Sequence, residues 1–372
     1  MRIGIDIKCL RYNNSGIGRY LVQLLDALQK IDSQNDYFLF SPQPIDYPLS
    51  NPRFHACPHP GNRFFKKLPG ILWQQRVLPR LLKENKIDIF WGPEQTLPLY
   101  TTGCKKILTI HDFVYRRYPG TMRHSVRWIN SHIGEKSIQQ ADIIAVNSDF
   151  TKQELLHFFP KYPEDKIKVV TCGINKATAP APRERKRQFL FVGSLEPRKN
   201  LKNLIIALEK LAGKGIRVPL FLIGPQGWNN SSENNLIRNS IIAGDIHPLG
   251  FVSDEKLQEL YSSSAAVVFP SFYEGFGLPV LEALRCRTAV LTTKGSVMES
   301  IAKECGIYFD ARNPDSIADT IETFLNRGEP YDIPQDKEEI RLEILSRFQW
   351  ENSARTLLQA FQQLFPSSEV QK

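Results

Sequence analysis

The stretch AAVVFPSFYEGFGLPVLE, residues 265–282, contains the three parts of a strand, a turn and a helix. Residues 265–269 form an apolar run of strand length, and the residues after Leu278 have the pattern of an apolar helix. Gly275 and Gly277 remove side chains from the approach to that helix, and Pro279 suits its first turn. The pattern predicts a turn at the carboxyl end of a parallel strand, where open α/β sheets bind ligands. A tight turn without a ligand is the alternative.

Short apolar strands alternate with amphipathic helices on both sides of this stretch, which is typical of parallel βαβ units. Strands are predicted at 2–7, 37–40, 87–90, 107–110, 143–146, 167–170, 189–192, 220–223 and 265–269, and helices at 17–28, 201–211, 337–347 and 351–364. The stretch ATAPAPRERKR, residues 177–187, has no periodicity and predicts a linker. We therefore predict an α/β fold with two Rossmann-like, doubly wound parallel-sheet domains at 1–176 and 188–349. A C-terminal helix in 350–372 is free to pack back on the first domain.

Composition excludes several classes of protein. The 372 residues are 42% hydrophobic and 23% charged, unlike a disordered, collagen-like or coiled-coil chain. No apolar run approaches the roughly 18 residues that span a bilayer. Asp6 and Lys8 interrupt the first apolar segment, so a secretory signal is not expected and the chain is predicted to be cytoplasmic. The six cysteines form no Cys-x-x-Cys pair, which argues against a zinc site or a disulfide framework.

The net charge of +9 divides unevenly, with +13 up to Arg187 and −4 after it. A basic half suggests phosphate, nucleic acid or an anionic membrane as partner, and a solvated basic surface is the alternative. The acid-free stretch 62–83 mixes cations with aromatic residues, which fits an anionic membrane surface or, equally, a core-packed helix with a basic outer face. Its cations are Arg63, Lys66, Lys67, Arg76, Arg80 and Lys83. A second acid-free stretch, 113–133, contains Arg116, Arg117, Arg123 and Arg127.

Two carboxylates lie on either side of the glycine turn in 265–282. Glu274 precedes the helix and Glu282 lies one turn inside it, so we expect them to bracket a ligand. The segment resembles the Glu-x7-Glu motif of the family 4 retaining glycosyltransferases, whose GT-B fold has two Rossmann-like domains facing across a cleft. The resemblance implies that Glu274 contacts the transferred sugar and that Glu282 hydrogen-bonds the nucleotide ribose. It also implies a donor site formed by the Gly275 turn and the backbone of Phe276, Gly277 and Leu278.

The stretch FVGSLEPRKNL, residues 191–201, predicts a second strand, turn and helix. A leaving nucleoside diphosphate develops negative charge that cations or a metal must neutralise, and Arg198 and Lys199 are the predicted cations. The stretch resembles the Val-Gly-x-x-x-x-Arg-Lys-Asn turn of the same family. Ser194 stands where the family more often has Arg, so which of the two cations contacts which phosphate stays open. The chain contains no Asp-x-Asp pair, and we expect neither a catalytic metal nor another cofactor.

The sequence Asn14-Ser-Gly-Ile-Gly follows the first predicted strand. Leu21 replaces the third glycine of a dinucleotide fingerprint, so that match is poor. The family resemblance implies instead that the Gly16 amide approaches the donor phosphate or the acceptor, with Gly18 keeping the approach open.

Two further positions are implied by the same resemblance. His111 and Asp112 end the predicted strand 107–110 and match the Thr-Ile-His-Asp segment of the family. His111 would hydrogen-bond the donor sugar, and Asp112 would brace its loop. The arginine-containing stretch 113–133, which follows directly, is a candidate for the acceptor path. Gly-Phe-Val-Ser, residues 250–253, resembles the strand end that receives the nucleobase, with Val252 as the contact.

The expected function is therefore that of a retaining hexosyltransferase. The turn sequence of this chain, VGSLEPRKNL, resembles the corresponding turn of bacterial mannosyltransferases of polysaccharide and O-antigen assembly. This resemblance makes GDP-mannose the first donor to consider and a glycan or lipid-linked glycan the expected acceptor. A UDP-sugar such as UDP-glucose is an alternative donor. A UDP-sugar epimerase or a phosphorylase on the same frame is an alternative enzyme, and the pI of about 9.2 raises a nucleic-acid protein, although no nucleic-acid partner is expected. Peripheral contact with an anionic membrane at its inner face is a further expectation.

Overall fold

The structure is a computed structural model that describes residues 1–12, 16–59, 70–101, 103–174, 184–225, 230–328 and 331–365. The chain forms two compact units. The first comprises the described parts of Met1–Arg117, His124–Gly173 and Phe348–Lys372, and the second those of Tyr118–Arg123 and Ile174–Arg347. The sequence boundaries 1–176 and 188–349 did not separate Tyr118–Arg123 from the residues around it.

The first unit is built on a fully parallel sheet. Its strands are β1 (Arg2–Asp6), β2 (Asp36–Ser41), β3 (Phe54–Pro58), β4 (Ile89–Gly92), β5 (Lys105–Ile110), β6 (Ile143–Val146) and β7 (Ile167–Val169), in the order β3-β2-β1-β4-β5-β6-β7. The helices between them are α1 (Gly16–Ile31), α2 (Gly70–Arg76), α3 (Leu78–Glu84), α4 (Val114–Arg117), α5 (His124–Ile129), α6 (Glu135–Gln140) and α7 (Asp149–Phe158), with a π-helical turn at Asn130–Gly134.

The second unit has its own fully parallel sheet. Its strands are β8 (Lys186–Val192), β9 (Leu220–Ile223), β10 (Ile246–Gly250), β11 (Ser264–Phe269), β12 (Ala289–Thr293) and β13 (Gly306–Phe309), in the order β10-β9-β8-β11-β12-β13. Its helices are α8 (Leu201–Gly213), α9 (Asn230–Asn239), α10 (Asp254–Ser263), α11 (Leu278–Arg285), α12 (Val297–Ala302), α13 (Pro314–Leu325) and α14 (Glu338–Arg347). This is the Rossmann strand order, and the prediction of two Rossmann-like parallel-sheet domains is confirmed.

The last helix, α15 (Trp350–Leu364), belongs to the first unit, where it packs against α1. Both helices are amphipathic, and their apolar faces are buried. The Trp350 ring meets Tyr20 of α1 edge-on, with 5.9 Å between ring centroids. Gly173 permits the close approach, because a Cβ there would lie 2.5 Å from the Trp350 backbone nitrogen.

The predicted linker 177–187 is wrong at its C-terminal end. Lys186 and Arg187 are exposed but already belong to β8. The Arg185 side chain is only 6% exposed. It forms an ion pair with Asp332 at 2.5 Å and donates to the carbonyls of Tyr261, Ser262, Ser264 and Cys286. A run of charges looked solvated in the sequence because these partners are distant along the chain. Residues 177–183 lie outside the described residues.

In each sheet, two neighbouring strands mark the point where the strand order reverses. They are β1 and β4 in the first sheet, and β8 and β11 in the second. Connections leave such a pair in opposite directions, which opens a crevice beyond the carboxyl ends of the strands. Each unit therefore has one crevice of this kind. Among the described residues, no helix is both long and apolar enough to cross a bilayer.

Candidate active site

Three predicted residues come together at the reversal point of the second sheet. Arg198 and Lys199 follow β8, and Glu274 follows β11. Arg198 Nη1 lies 2.9 Å from Glu274 Oε2, and Lys199 Nζ lies 2.5 Å from Glu274 Oε1. The Glu274 side chain is only 11% exposed. The sequence predicted all three positions, but it did not predict that both cations pair with this carboxylate.

The charges of this cluster are set by burial and by each other. Burial opposes ionisation of Glu274, but Arg198 and Lys199 outweigh it and lower the pKa of this carboxyl group to about 2. Burial lowers the pKa of Lys199 from its usual value, although Glu274 acts in the opposite direction. Glu274 is therefore a carboxylate at every physiological pH, beside two donors that can also serve an anionic ligand.

Glu196, which sequence reasoning missed, orients Arg198. Its Oε2 accepts from Arg198 Nε at 3.0 Å, and its Oε1 accepts from the Ser194 hydroxyl at 2.8 Å. Arg198 Nη1 also donates to the Tyr273 carbonyl at 3.2 Å. An acid two residues before a predicted phosphate-binding Arg is the signal that could have identified Glu196. Ser271 was also missed; it is buried next to this cluster, and its hydroxyl lowers the pKa of Glu274 further.

Asn200 joins the two turns of the site. It adopts a left-handed backbone conformation at φ 60°, and its amide donates to the carbonyls of Pro270 at 3.1 Å and Ala311 at 2.7 Å. The Phe272 amide donates to the Arg198 carbonyl at 2.9 Å. The turn after β8 is therefore hydrogen-bonded directly to the turn after β11.

Helix α11 begins immediately after the glycine turn. Gly277 precedes it at φ 129°, a conformation that favours glycine, and no side chain caps the first turn. The start of a helix carries partial positive charge and amides without intrahelical partners, which suits an anion. Leu278 begins the helix, and the Phe276 side chain is buried. Glu282, further along α11, accepts from the Tyr261 hydroxyl at 2.8 Å, so its carboxylate is held in place.

The carboxyl ends of β8, β9 and β10 meet at three glycines with positive φ. Gly193 donates its amide to the Ile223 carbonyl, and Gly224 donates to the Gly250 carbonyl, both at 2.8 Å. A Cβ at Gly224 would collide with the Gly193 carbonyl. Half-buried Val252, the predicted nucleobase contact, follows this edge.

His111, Gly16 and Gly18 belong to the first unit. His111 is buried at the end of β5, and its Nε2 donates to the Pro93 carbonyl at 2.8 Å, which leaves Nδ1 as the acceptor of the ring. Burial lowers the pKa of His111, so the ring is neutral at pH 7. Asp112 accepts from the Val114 amide at 3.0 Å and thereby braces the loop. Exposed Gly16 and buried Gly18 lie in the first turn of α1, while Asn14 lies outside the described residues.

The two basic stretches are partly engaged in structural contacts. Residues 62–69, with Arg63, Lys66 and Lys67, lie outside the described residues. In α2 and α3, Arg76, Arg80 and Lys83 are exposed over a buried apolar face, as in the core-packed alternative. In 113–133, Arg116 pairs with Glu135 and Arg117 forms two hydrogen bonds with Glu154, while Arg123 and Arg127 are exposed.

Metal-ligating side chains do not converge in the part of the chain that the structure describes. Within it, no group of three or more His, Cys, Asp or Glu residues is arranged to hold a metal ion. The described charges that surround Glu274 are instead the two cations and Glu196.

Two family models match the chain, one on each half. Residues 14–178 match Glycosyltransferase Family 4, and residues 174–339 match Glycosyl transferases group 1. Together they cover residues 14–339, which include every strand except β1 and every described residue of the site. The chain belongs to the family 4 glycosyltransferases. The prediction of a hexosyltransferase is confirmed by these matches and by the relatives of this glycosyltransferase.

The relatives include proteins of O-antigen assembly. The glycosyltransferase is 28% identical to O-antigen chain mannosyltransferase B of Escherichia coli over 98% of this chain and 100% of the relative. It is 34% identical to the serotype-specific mannosyltransferase WbdA of Escherichia coli, over 49% of this chain and 22% of WbdA. It is 21% identical to O-antigen chain mannosyltransferase RfbU of Salmonella typhimurium, over 90% and 97% of the two chains.

Solved structures show the same fold. Sucrose-phosphate synthase from Thermosynechococcus elongatus superposes with a TM-score of 0.78 at 18% identity, over 99% of this chain and 100% of that one. HepE from Anabaena, in complex with UDP and glucose, superposes with a TM-score of 0.69 at 15% identity, over 97% and 98%. The glycosyltransferase therefore has the GT-B fold class.

Proposed function

We propose that this glycosyltransferase is a retaining mannosyltransferase that moves mannose from GDP-mannose to a glycan or lipid-linked glycan during polysaccharide biosynthesis. The observation that carries the proposal is the cluster of Arg198, Lys199 and Glu274 at the reversal point of the second sheet. The full-length likeness to an O-antigen mannosyltransferase supports mannose as the sugar. All of the matches reported above are with transferases, which does not favour the epimerase alternative.

In the proposed reaction, the bond between the anomeric carbon and the β-phosphate oxygen breaks, and its electron pair leaves with GDP. Arg198 and Lys199 neutralise the diphosphate, together with the start of α11. Arg198 has five N–H donors, so it can serve a phosphate while it keeps Glu196 and Glu274. Catalysis is then mainly positioning and stabilisation of the leaving group.

Glu274 contacts the transferred sugar in this proposal, and Glu282, held by Tyr261, binds the ribose. The acceptor hydroxyl bonds to the anomeric carbon on the face from which GDP departs, and its proton passes to the departing phosphate oxygen. The configuration is retained without a covalent enzyme intermediate. We also propose that no metal takes part, because Arg198 and Lys199 can supply the positive charge that a metal would otherwise bring to the diphosphate.

The donor is tested by thermal unfolding with GDP, UDP, ADP and their sugars in the presence of EDTA. A ligand present at 100 times its Kd raises the free energy of unfolding of the protein by about 2.7 kcal/mol. We expect stabilisation by GDP-mannose with EDTA present and a clear loss of it in Glu282→Gln. Tyr261→Phe, which removes only the hydroxyl that holds Glu282, is expected to weaken the stabilisation partially. Stabilisation by UDP-glucose alone would identify UDP-glucose as the donor in place of GDP-mannose. A requirement for Mg²⁺ or Mn²⁺ would contradict the metal-free proposal.

The transfer is tested with GDP-mannose and a synthetic octyl α-mannoside, followed by NMR of the product. We expect an α-linked product, since GDP-mannose is an α-glycoside and the configuration is retained. A β-linked product would contradict the retaining mechanism, while the donor assignment would stand.

Peripheral contact with an anionic membrane is part of the proposal, and α5 supports it. None of the six residues of α5 is buried. Val126 is 42% exposed and Trp128 is 56% exposed, and Arg127 lies between them in the sequence. Exposed apolar and basic side chains on one short helix suit an anionic lipid surface. Sedimentation with phosphatidylglycerol vesicles is expected to fall in Trp128→Ala and Arg127→Glu. Equal sedimentation with phosphatidylcholine vesicles would contradict it.

A further inference from the structure

The reversal point of the first sheet holds a buried ion cluster that the proposed mechanism does not use. Asp6 ends β1, Lys8 follows it, and Glu94 lies just beyond β4. Lys8 Nζ donates to Asp6 Oδ2 at 2.7 Å and forms an ion pair with Glu94. The side chains of Asp6, Lys8 and Glu94 are 1%, 14% and 28% exposed, so the cluster is closed on the Asp6 side and partly open at Glu94. Charges are thus placed where open α/β sheets bind ligands.

A hydrogen-bond network fixes this cluster. The buried Gln74 amide donates to Asp6 Oδ2 at 3.0 Å and to the Thr96 carbonyl at 3.1 Å, and the Thr96 hydroxyl donates back to Gln74 at 2.9 Å. Buried ion pairs give little net stability compared with packed apolar residues, because desolvation offsets their attraction. Stability alone therefore does not account for three charges at this edge.

A cavity of about 250 Å³ lies beside Lys8 in the same unit. Its polar lining is Lys8, Arg11, Gln43 and Asp46, and Pro42 and Pro44 supply apolar surface. Small-ligand pockets typically have roughly 300–1,000 Å³, so this cavity suits one sugar ring better than a chain of them.

The chemistry of the lining favours a neutral polyhydroxylated ligand. A phosphate would be attracted by Lys8 and Arg11 but repelled by Asp46 and by the carboxylates behind Lys8. A hydroxyl both donates and accepts, so it can use a cation, an amide and a carboxylate together. The Lys8 ammonium has three donors, and its contacts among the described residues are with two carboxylates, Asp6 and Glu94. One donor is left for a ligand hydroxyl.

We propose that this cavity binds the terminal sugar of the acceptor, with Lys8 donating to one of its hydroxyls and Gln43 and Asp46 setting specificity. Asp6, Glu94 and Gln74 act through Lys8 as positioning residues. The inference rests on the proposed function, because the acceptor is a glycan only if the reaction is glycosyl transfer to one.

The test uses variants at the exposed rim of the cavity, where the fold is not at risk. Gln43 and Asp46 are both exposed, and we combine Gln43→Ala with Asp46→Asn. Gln34 and Asp165 are exposed residues of the same unit that do not line the cavity, so Gln34→Ala with Asp165→Asn is the matched control. Thermal unfolding first checks that both double variants fold.

Binding of methyl α-mannoside is measured by saturation-transfer NMR, and KM is measured for octyl α-mannoside and for GDP-mannose. We expect the rim variant to weaken mannoside binding and to raise the acceptor KM about tenfold, as for one lost hydrogen bond to a charged group. The KM for GDP-mannose and the slow hydrolysis of the donor should not change. The control variant should match the wild type in every measurement.

Unchanged mannoside binding in the rim variant would overturn the inference, as would competition by inorganic phosphate. If the wild type binds no mannoside while GDP-mannose still stabilises it, this inference fails and the proposed donor stands. If no sugar nucleotide stabilises the protein, the proposed function fails as well. Lys8→Met is a second probe. Thermal unfolding shows whether this variant folds although Asp6 has lost its ion pair, and the folded variant should lose acceptor binding.

Discussion

Lys199 Nζ lies 2.5 Å from Glu274 Oε1, although the two residues follow different strands of the second sheet. Lys199 is buried, the Glu274 side chain is 11% exposed, and Arg198 shares the same carboxylate. The ion cluster therefore ties the turn after β8 to the turn after β11, at the place where a donor diphosphate is proposed to bind. Its removal should affect both stability and catalysis.

Replacing Glu274 by Gln should destabilise the protein by about 3 kcal/mol, because two largely buried cations lose their shared carboxylate. Transfer should fall by two or more orders of magnitude at the same time. Glu304→Gln is the matched control, since it removes only an exposed ion pair with Lys337 and should cost less than about 0.5 kcal/mol. Urea unfolding measures both changes. A Glu274→Gln protein as stable as the control would mean that the cluster is not formed in solution.

The lowered pKa of Glu274 predicts a stability loss at acid pH. Its pKa is about 2 in the folded protein against an ordinary 4.5, so the unfolded state binds a proton first as the pH falls. The contribution is fully present above about pH 5 and disappears as the pH approaches 2. Wild-type unfolding free energy should therefore fall more steeply between pH 5 and 3 than that of Glu274→Gln. Parallel curves would contradict the lowered pKa.

Glu196 should act on catalysis through Arg198. Glu196→Gln keeps the shape of the side chain and removes the charge that orients the guanidinium, and we expect kcat to fall about tenfold, the scale of one charge-assisted hydrogen bond. KM for the acceptor should stay constant. Ser194→Ala removes only the hydroxyl that donates to Glu196, so it should lower kcat by less. Equal effects of the two substitutions would argue against a specific role of Glu196 on Arg198.

Gly277 should tolerate no side chain. Its φ of 129° disfavours other residues, and a Cβ would lie 3.0 Å from Met298 Cγ, so Gly277→Ala should destabilise by about 1–3 kcal/mol. Gly213→Ala at the end of α8 is the control, because a Cβ there meets nothing within 4 Å. We expect that substitution to be neutral or stabilising. Thermal unfolding and GDP-mannose binding distinguish the two.

Most of the strands that sequence patterning found contain a run of consecutive buried apolar residues. β6 is an example, because all four of its residues are buried. β3, β10 and β13 were not among the strands predicted from patterning, although the family resemblance implied a strand end at Gly250, and each lies at the edge of a sheet. Two of these edge strands lack a continuous apolar run, as in FHACP of β3 and IHPLG of β10, and β13 has only three consecutive apolar residues, IYF. The edge strand β7 was predicted all the same. β12 was missed although it is interior, because Thr292 and Thr293 end its apolar run.

At the site, the resemblance to family motifs identified Glu274, Arg198 and Lys199 one by one. It did not predict that they pair, since Lys199 and Glu274 are far apart in sequence and only the strand order makes them neighbours. The supporting contacts of Asn200 and Tyr261 were missed for the same reason. Arg185 shows the opposite error, because a charged run was interpreted as a linker while this side chain was bonded to four distant carbonyls.

The return of α15 to the first unit affects the order of events during synthesis. Tyr20 and the apolar face of α1 are covered by residues that the ribosome adds only after the whole second unit. The nascent first unit therefore carries an uncovered apolar face while the second unit emerges and can fold first, and such faces favour aggregation. Truncation before Trp350 should leave the apolar face of α1 permanently uncovered. The two halves of the gene are therefore not interchangeable modules.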